Sequence, residues 1–143
     1  MRNIIHSAVP LSYLTSPSTK KVVRVENPRD PLDEAILDNM VSGCRANRDE
    51  VCGFITDAED ILYVPNSHME PHFNFYMAIE DIQEALQIIC KINQQNVIGV
   101  FHTHVNNVPW PTPIDLAGWP NPDLRWRYWI ATNHEVIEWS LPR

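Results

Sequence analysis

Residues 97–115, VIGVFHTHVNNVPWPTPID, contain a buried strand, a loop and the start of a helix. The run Val97–Thr103 is largely apolar, which is typical of a strand covered on both faces of its sheet. Residues 105–111 are rich in proline and asparagine and indicate a loop. A short helix is then predicted at Pro113–Trp119. A central strand with a helix after it favours the α/β class.

The sequence on either side of this stretch predicts further helices and strands. Asp30 followed by Pro31 is typical of a helix start, and apolar residues at helical spacing continue to about Ala46. A second helix is predicted at Ile79–Gln95, with an apolar stripe that ends at Ile92. Strands are predicted at Lys21–Glu26, Glu50–Thr56, Ile61–Val64, Arg127–Ala131 and Val136–Leu141. The order of these elements predicts a single domain in which helices flank one mixed β-sheet.

Length and charge narrow the class of protein. The chain has 143 residues, enough for one domain with a single core. We expect residues 1–30 to form an N-terminal arm with an edge strand, and residues 31–143 to form the domain. The net charge of −7 argues against a general nucleic-acid binder, which needs a basic surface for phosphates. Because Pro10 and polar residues interrupt the apolar stretch Ile4–Leu14, we expect neither a signal sequence nor a membrane span there.

The three cysteines, Cys44, Cys52 and Cys90, do not form a CxxC arrangement. An odd number leaves one unpaired in any disulfide scheme, and all three lie among apolar residues. We therefore predict buried thiols in a reducing compartment rather than disulfides or zinc ligands.

His102 and His104 are the first candidate site residues. Alternate residues of a strand point to the same face, so these two imidazoles can converge on one metal ion. A neutral imidazole is a good zinc ligand, and a catalytic zinc site has three protein ligands with a fourth position open to water. Such a pair is also common on ordinary surfaces and in ordinary cores, so it indicates a metal site only together with further residues.

Asp115 is the candidate third ligand, and two explanations fit it. A short loop can fold the first turn of the predicted helix back over the end of the strand, which would bring this carboxylate to the histidines. Alternatively, Thr112 as N-cap, Pro113 after it and Asp115 at the third helical position form an ordinary helix start. That alternative accounts for Thr112 and Asp115 and leaves the paired histidines unexplained.

Glu50 is the candidate general base. It precedes a strand that we expect to lie beside the strand of His102, and a metal-activated water needs a group to take its proton and pass it to the leaving amine. Taken alone, Glu50 would be interpreted as a solvated glutamate at the edge of a strand.

The combined pattern resembles the JAMM motif of the JAB1/MPN/Mov34 metallopeptidases. The motif has a glutamate in a strand, then HxH, seven residues, serine, two residues and aspartate. Here its positions are Glu50, His102, His104, Thr112 and Asp115. Asn66 and Trp139 are also similar to the family, and the short form of the chain resembles its phage tail-assembly and small bacterial members.

The resemblance implies a JAB1/MPN fold with cytidine-deaminase-like architecture and a role for each motif residue. His102, His104 and Asp115 would hold Zn²⁺, Glu50 would be the general base, and Thr112 would take the place of the serine that helps to stabilise the oxyanion. The implied reaction is hydrolysis of a peptide or isopeptide bond by a metal-activated water. The branched Thr112 departs from the serine of the family, and its χ1 is stiffer than that of serine.

The resemblance also implies partners and a location. The substrate would be a peptide or protein, such as a ubiquitin-like conjugate or a phage tail protein. The location would be cytoplasmic, or in the virion for a phage tail component.

Competing hypotheses come from other classes. A scaffolding domain, such as a phage tail component, would keep the fold and the zinc without catalysis. A zinc deaminase would carry HxE and PCxxC, and the chain has no CxxC. A second metal site at His68 and His72 is disfavoured, because Pro71 between them opposes the helical geometry that their spacing would need.

Overall fold

Six strands form one mixed sheet in this protein, of which a computed structural model describes residues 22–141. The strands are β1 (Val23–Arg24), β2 (Cys52–Thr56), β3 (Ile61–Val64), β4 (Val97–Thr103), β5 (Arg127–Ala131) and β6 (Val136–Ser140). Their order across the sheet is β1-β6-β5-β4-β2-β3. β4 pairs in parallel with β5, and every other pair is antiparallel. The predicted α/β class with a single mixed sheet is confirmed.

In the part of the chain that the structure describes, three α-helices accompany the sheet: α1 (Glu34–Ala46), α2 (Ile79–Gln87) and α3 (Pro113–Ala117). A π-helical turn, Ile88–Ile92, continues α2, and a 3-10 turn, Pro122–Leu124, precedes β5. Within residues 22–141, no helix has the length and apolar character needed to cross a membrane.

The side chains of β4 alternate between two apolar clusters, one on each face of the sheet. Val100 packs with Phe75 and residues of α2, while Phe101 packs on the other face with Met40 of α1. By the same alternation, His102 lies on the face of Val100, where Phe75 stacks against it. Both faces of β4 are therefore covered, as its apolar sequence predicts.

Gly99 allows β4 to lie close to β5. A Cβ atom at this position would come within 2.3 Å of the carbonyl oxygen of Arg127 and 2.6 Å of the Trp129 ring. Since real Cβ atoms do not approach so closely, any larger residue would push the two strands apart.

The N-terminal part of the chain differs from its prediction in two ways. The predicted strand Lys21–Glu26 is only two residues long where described, and it pairs with the edge of β6. The helix start predicted at Asp30 and Pro31 is wrong. Asp33 is the N-cap, with its side chain accepting a hydrogen bond from the backbone of Ala35. Residues 1–21 of the predicted arm lie outside the described residues.

The predicted end of the second helix, at Gln95, is also wrong. The helical turns finish at Ile92 rather than Gln95, because the N–H of Asn93 bonds five residues back to Ile88 and Gln94 takes a positive φ. A π turn holds an extra residue, which rotates the residues after it away from the apolar stripe. Ile92, predicted to be buried, is the last residue of this turn and is 69% exposed.

Of the three cysteines, all of which are unpaired thiols, Cys44 and Cys52 are buried as predicted. Cys90 lies in the π turn and is exposed, so its predicted burial is wrong. The spacing of apolar residues in the sequence does not reveal that Cys90 lies in a π-helical turn rather than in an α-helix.

Candidate functional site

Two histidines meet at the carboxyl end of β4. His102 is the next-to-last residue of the strand, and His104 lies just beyond it, with its N–H bonded to the carbonyl of Ala131 at the end of β5. Both side chains are almost completely buried, and their Nε2 atoms lie 2.9 Å apart. The same-face geometry expected from the HxH pattern is therefore present.

Asp115 reaches both histidines from the first turn of α3. Its Oδ2 lies 2.9 Å from Nε2 of His104 and 3.3 Å from Nε2 of His102. The same oxygen accepts the backbone N–H of Thr112, while the Thr112 hydroxyl accepts the backbone N–H of Asp115. The two explanations of Asp115 are thus compatible, because one carboxylate completes the helix cap and also faces the imidazoles.

Glu50 enters the same site from the start of β2. Antiparallel pairing places Cys52 opposite His102, and Val51 is bonded to Thr103 through both its N–H and its carbonyl. Glu50 is 4% exposed, and its Oε1 lies 4.0 Å from Nε2 of His102. The expected proximity of Glu50 to the histidines is therefore observed.

Asn66 holds the loop after β3 against Glu50. Its Nδ2 donates to the carbonyls of Glu50 and Asn74, and its Oδ1 accepts the N–H groups of His68 and Tyr76. The sequence pointed to Asn66 only through the family resemblance, and the structure gives it a physical role in fixing the backbone of Glu50.

The hydrogen bonds of His104 define which of its nitrogens is free. Nδ1 lies 2.7 Å from the carbonyl oxygen of Val108, which can only accept, so Nδ1 carries the proton. In the neutral imidazole, Nε2 then presents a lone pair to the carboxylate oxygen of Asp115 at 2.9 Å. Two lone pairs facing each other in a buried site need a proton or a metal cation between them. The sequence gives no sign that the Val108 carbonyl orients His104, since a backbone group leaves no signal in the sequence.

His102 is held by aromatic rings. Phe75 stacks on it with the ring centres 4.4 Å apart, and Tyr128 packs edge-on at 5.6 Å. Burial among these rings lowers the pKa of His102, although the nearby Asp115 opposes this shift. The neutral form that burial favours is the form that binds a metal ion.

The distances fit a small metal ion. Bonds of about 2.0–2.1 Å to a tetrahedral ion place neighbouring ligand atoms roughly 3.3 Å apart. The three separations among the nitrogens of His102 and His104 and the oxygen of Asp115 are 2.9, 2.9 and 3.3 Å. Ligand atoms of Glu50, His102 and His104 also lie within 4.8 Å of one another. This buried group of residues could therefore hold a metal ion.

The Glu50 carboxyl is buried close to a second carboxyl group, that of Asp115. Its Oε1 is buried and has no hydrogen-bond partner among the described residues. Burial, with the negative charge of Asp115 as the second cause, raises the pKa of Glu50 to about 9. A cation between Asp115 and the histidines would offset this repulsion and favour the carboxylate that a base requires.

This shift predicts how the stability of the metal-free protein changes with pH. Between pH 4.5 and about 9, folded Glu50 keeps a proton that the unfolded chain releases, so the free energy of unfolding falls as the pH rises. Glu50→Gln removes this dependence and should stabilise the metal-free protein at pH 8 by roughly 4 kcal/mol, and by less than about 1 kcal/mol at pH 5. Urea unfolding in the presence of a chelator measures both values.

Glu135→Gln is the matched control, because it removes the same charge from an exposed position. An equal gain from Glu50→Gln at the two pH values would contradict the shifted pKa of Glu50.

The other polar residues identified in the sequence lie outside this group. Nδ1 of His72 pairs with Asp49 at 2.7 Å, and Nδ1 of His68 accepts the N–H of Glu70. Neither histidine belongs to a group that could hold a metal ion within residues 22–141. Trp110, in the loop between His104 and α3, is 59% exposed.

The two arginines on either side of Trp126 have different contacts. Arg127 forms a two-pronged, partly buried ion pair with Glu138 and packs over the ring of Trp129. Arg125 instead ends the 3-10 turn with a positive φ.

Comparison with known proteins adds evidence on the fold. No family model and no curated protein matches the chain. The chain is similar to the solution structure of protein DSY2949 from Desulfitobacterium hafniense, with 22% sequence identity and a TM-score of 0.51. The match covers 65% of this chain and 67% of that one. At this identity the likeness concerns the fold alone, and it agrees with a single α/β domain.

Proposed function

We propose that this chain is a zinc-dependent peptidase or isopeptidase of the JAB1/MPN/Mov34 type. The observation that carries the proposal is the buried triangle formed by Nε2 of His102, Nε2 of His104 and Oδ2 of Asp115, with the Glu50 carboxyl 4.0 Å from His102. Two imidazoles and one carboxylate form a ligand set suited to Zn²⁺ in a catalytic site. A buried carboxyl beside such a set is suited to proton transfer.

Each residue has a distinct role in this proposal. His102, His104 and Asp115 would hold the ion, which when bound supplies Lewis-acid polarisation of the scissile carbonyl and a lowered pKa for the attacking water. Glu50 takes one proton from that water as the new C–O bond forms. It then gives this proton to the amine nitrogen as the C–N bond breaks, so the reaction consumes one water and leaves Glu50 unchanged.

The Thr112 hydroxyl has a free donor for this chemistry. Its oxygen accepts the N–H of Asp115, so its own O–H can point elsewhere. We assign it the stabilisation of negative charge on the carbonyl oxygen, in the position where the family has serine. The substrate is an amide bond in a peptide or protein, such as a ubiquitin-like conjugate or a phage tail protein.

The test combines metal analysis with cleavage. Protein purified without chelators should contain zinc at about one ion per chain, and His102→Ala should lose it, whereas His134→Ala, at an exposed site, should keep it. The zinc-loaded protein should cleave members of a panel of peptides and lysine isopeptides, and chelation should stop the cleavage. Zinc bound without any cleavage would support the scaffolding domain instead, and equal zinc in His102→Ala would overturn the metal site.

A further inference from the structure

The last strand of the sheet, β3, has a free edge. β3 pairs with β2 on one side, and no strand of residues 22–141 lies on its other side. An exposed edge carries backbone N–H and C=O groups that can pair with another extended chain. The strand has only four residues, Ile61–Val64, so the partner it can accept is short.

A narrow groove runs beside this edge, between β3 and α2, with a volume of about 170 Å³. Ordinary small-molecule sites measure about 300–1,000 Å³, so this groove has room for one long side chain rather than for such a ligand. Its apolar lining includes Leu62, Val64, Ala85 and Ile88. Two carboxylates, Asp81 and Glu84 of α2, lie on its wall, and no lysine or arginine lines it.

These features match one type of side chain. Lysine and arginine have an apolar stem that packs on aliphatic surfaces and a charged head that seeks carboxylates. A peptide paired with β3 would direct alternate side chains towards α2, where Leu62 and Ala85 meet the stem and Asp81 and Glu84 meet the head. The net charge of −7 favours a basic partner as well.

The register of the sheet relates this groove to the candidate catalytic site. Val64 lies opposite Cys52, and Cys52 lies opposite His102, so the three form one row across the sheet. With strands about 4.8 Å apart, a chain added to β3 would lie roughly 14 Å from His102.

We propose that the free edge of β3 is a substrate-docking site for an extended peptide segment that carries a lysine or arginine. This inference deepens the proposed peptidase function and rests on it. The backbone of the segment pairs with β3, and its basic side chain occupies the groove between β3 and α2.

Binding can be measured without any cleavage, which separates this proposal from the peptidase function. The probe is a fluorescein-labelled heptapeptide with a central lysine and alternating valine and threonine, titrated with the full-length Glu50→Gln protein by fluorescence anisotropy. The double variant Asp81→Asn/Glu84→Gln should weaken its binding roughly five-fold at low salt, and added salt should reduce this difference. Glu80→Gln, which changes an exposed carboxylate of the same helix outside the groove, should bind like the parent protein.

Two further probes test the strand pairing and the charge. A heptapeptide N-methylated at alternate residues keeps its side chains but loses the N–H groups of one edge, and it should bind at least about five-fold more weakly. A heptapeptide with glutamate in place of lysine should also bind more weakly. Equal binding of the lysine and glutamate probes, or of the methylated and unmethylated probes, would overturn the proposal. Dimers in sedimentation that the Asp81→Asn/Glu84→Gln variant abolishes would also overturn it, because the edge would then serve a second copy of the chain.

Discussion

Replacing Glu50 with glutamine is expected to lower the rate of amide hydrolysis by about 10²–10⁴-fold, the usual contribution of a general acid–base residue. Glutamine has nearly the same shape but cannot carry a proton from the attacking water to the leaving amine. The buried Oε1 of Glu50 makes no hydrogen bond to another described residue, so the substitution removes no hydrogen bond of this atom. The measurement is kcat/KM of the zinc-loaded variant on any substrate that the wild-type protein cleaves.

The zinc content of the same variant shows whether Glu50 is a base or a ligand. Glu50, His102 and His104 form a group that could hold a metal ion, but Asp115 is closer than Glu50 to both imidazoles. We therefore expect Glu50→Gln to keep about one zinc ion per chain. Asp49→Asn is the matched control, since it removes a half-exposed carboxylate one residue away, and it should retain activity within a few-fold. Loss of zinc from Glu50→Gln, or full activity with zinc present, would contradict the role of Glu50 as base.

The parts of the fold that depend on local patterns could be predicted from the sequence. The apolar run of β4 predicts a strand covered on both faces, and the two-residue period of a strand predicts that His102 and His104 share a face. The position of Glu50 beside them depends on which strands are neighbours. That relationship is not local, and its prediction came from the order of the elements and the family resemblance.

Other features depend on contacts that local patterns do not reveal. The π turn after α2 ends with a backbone bond from Asn93 to Ile88, and Ile92 and Cys90 within this turn are exposed despite their apolar setting. The start of α1 at Asp33 depends on the distant turn between β2 and β3, since the N–H of Asp33 donates to the Glu59 side chain. A choice among several possible caps is decided by such tertiary contacts, which propensity alone does not include.

The local pattern around Asp115 left two explanations open because it is the same for a helix cap and for a metal ligand. Only the path of residues 105–111, fixed in part by the bond from His104 to the Val108 carbonyl, brings the cap against the histidines. The structure thus unites in one oxygen atom, Oδ2 of Asp115, the two roles that the sequence presented as alternatives.

Replacing Asp115 with asparagine is expected to weaken zinc binding by at least about 100-fold, because even partners outside the ligand shell contribute 10–100-fold to metal affinity. The amide oxygen of asparagine can still accept the N–H of Thr112, so the helix start should persist. The variant loses the negative charge beside His102 and His104. Competition with a fluorescent zinc chelator measures the affinity, and circular dichroism checks that the helix content is unchanged.

Thr112→Val is the complementary variant, since it removes the other half of the cap and leaves the carboxylate in place. Losing the hydroxyl that accepts the Asp115 N–H should cost about 1 kcal/mol of stability, while zinc affinity stays within a few-fold of the wild type. If Asp115 acted only as a capping residue, the Asp115→Asn variant would bind zinc as tightly as the wild-type protein. Opposite effects of the two variants on affinity and stability would therefore establish that the first turn of α3 both starts a helix and supplies a metal ligand.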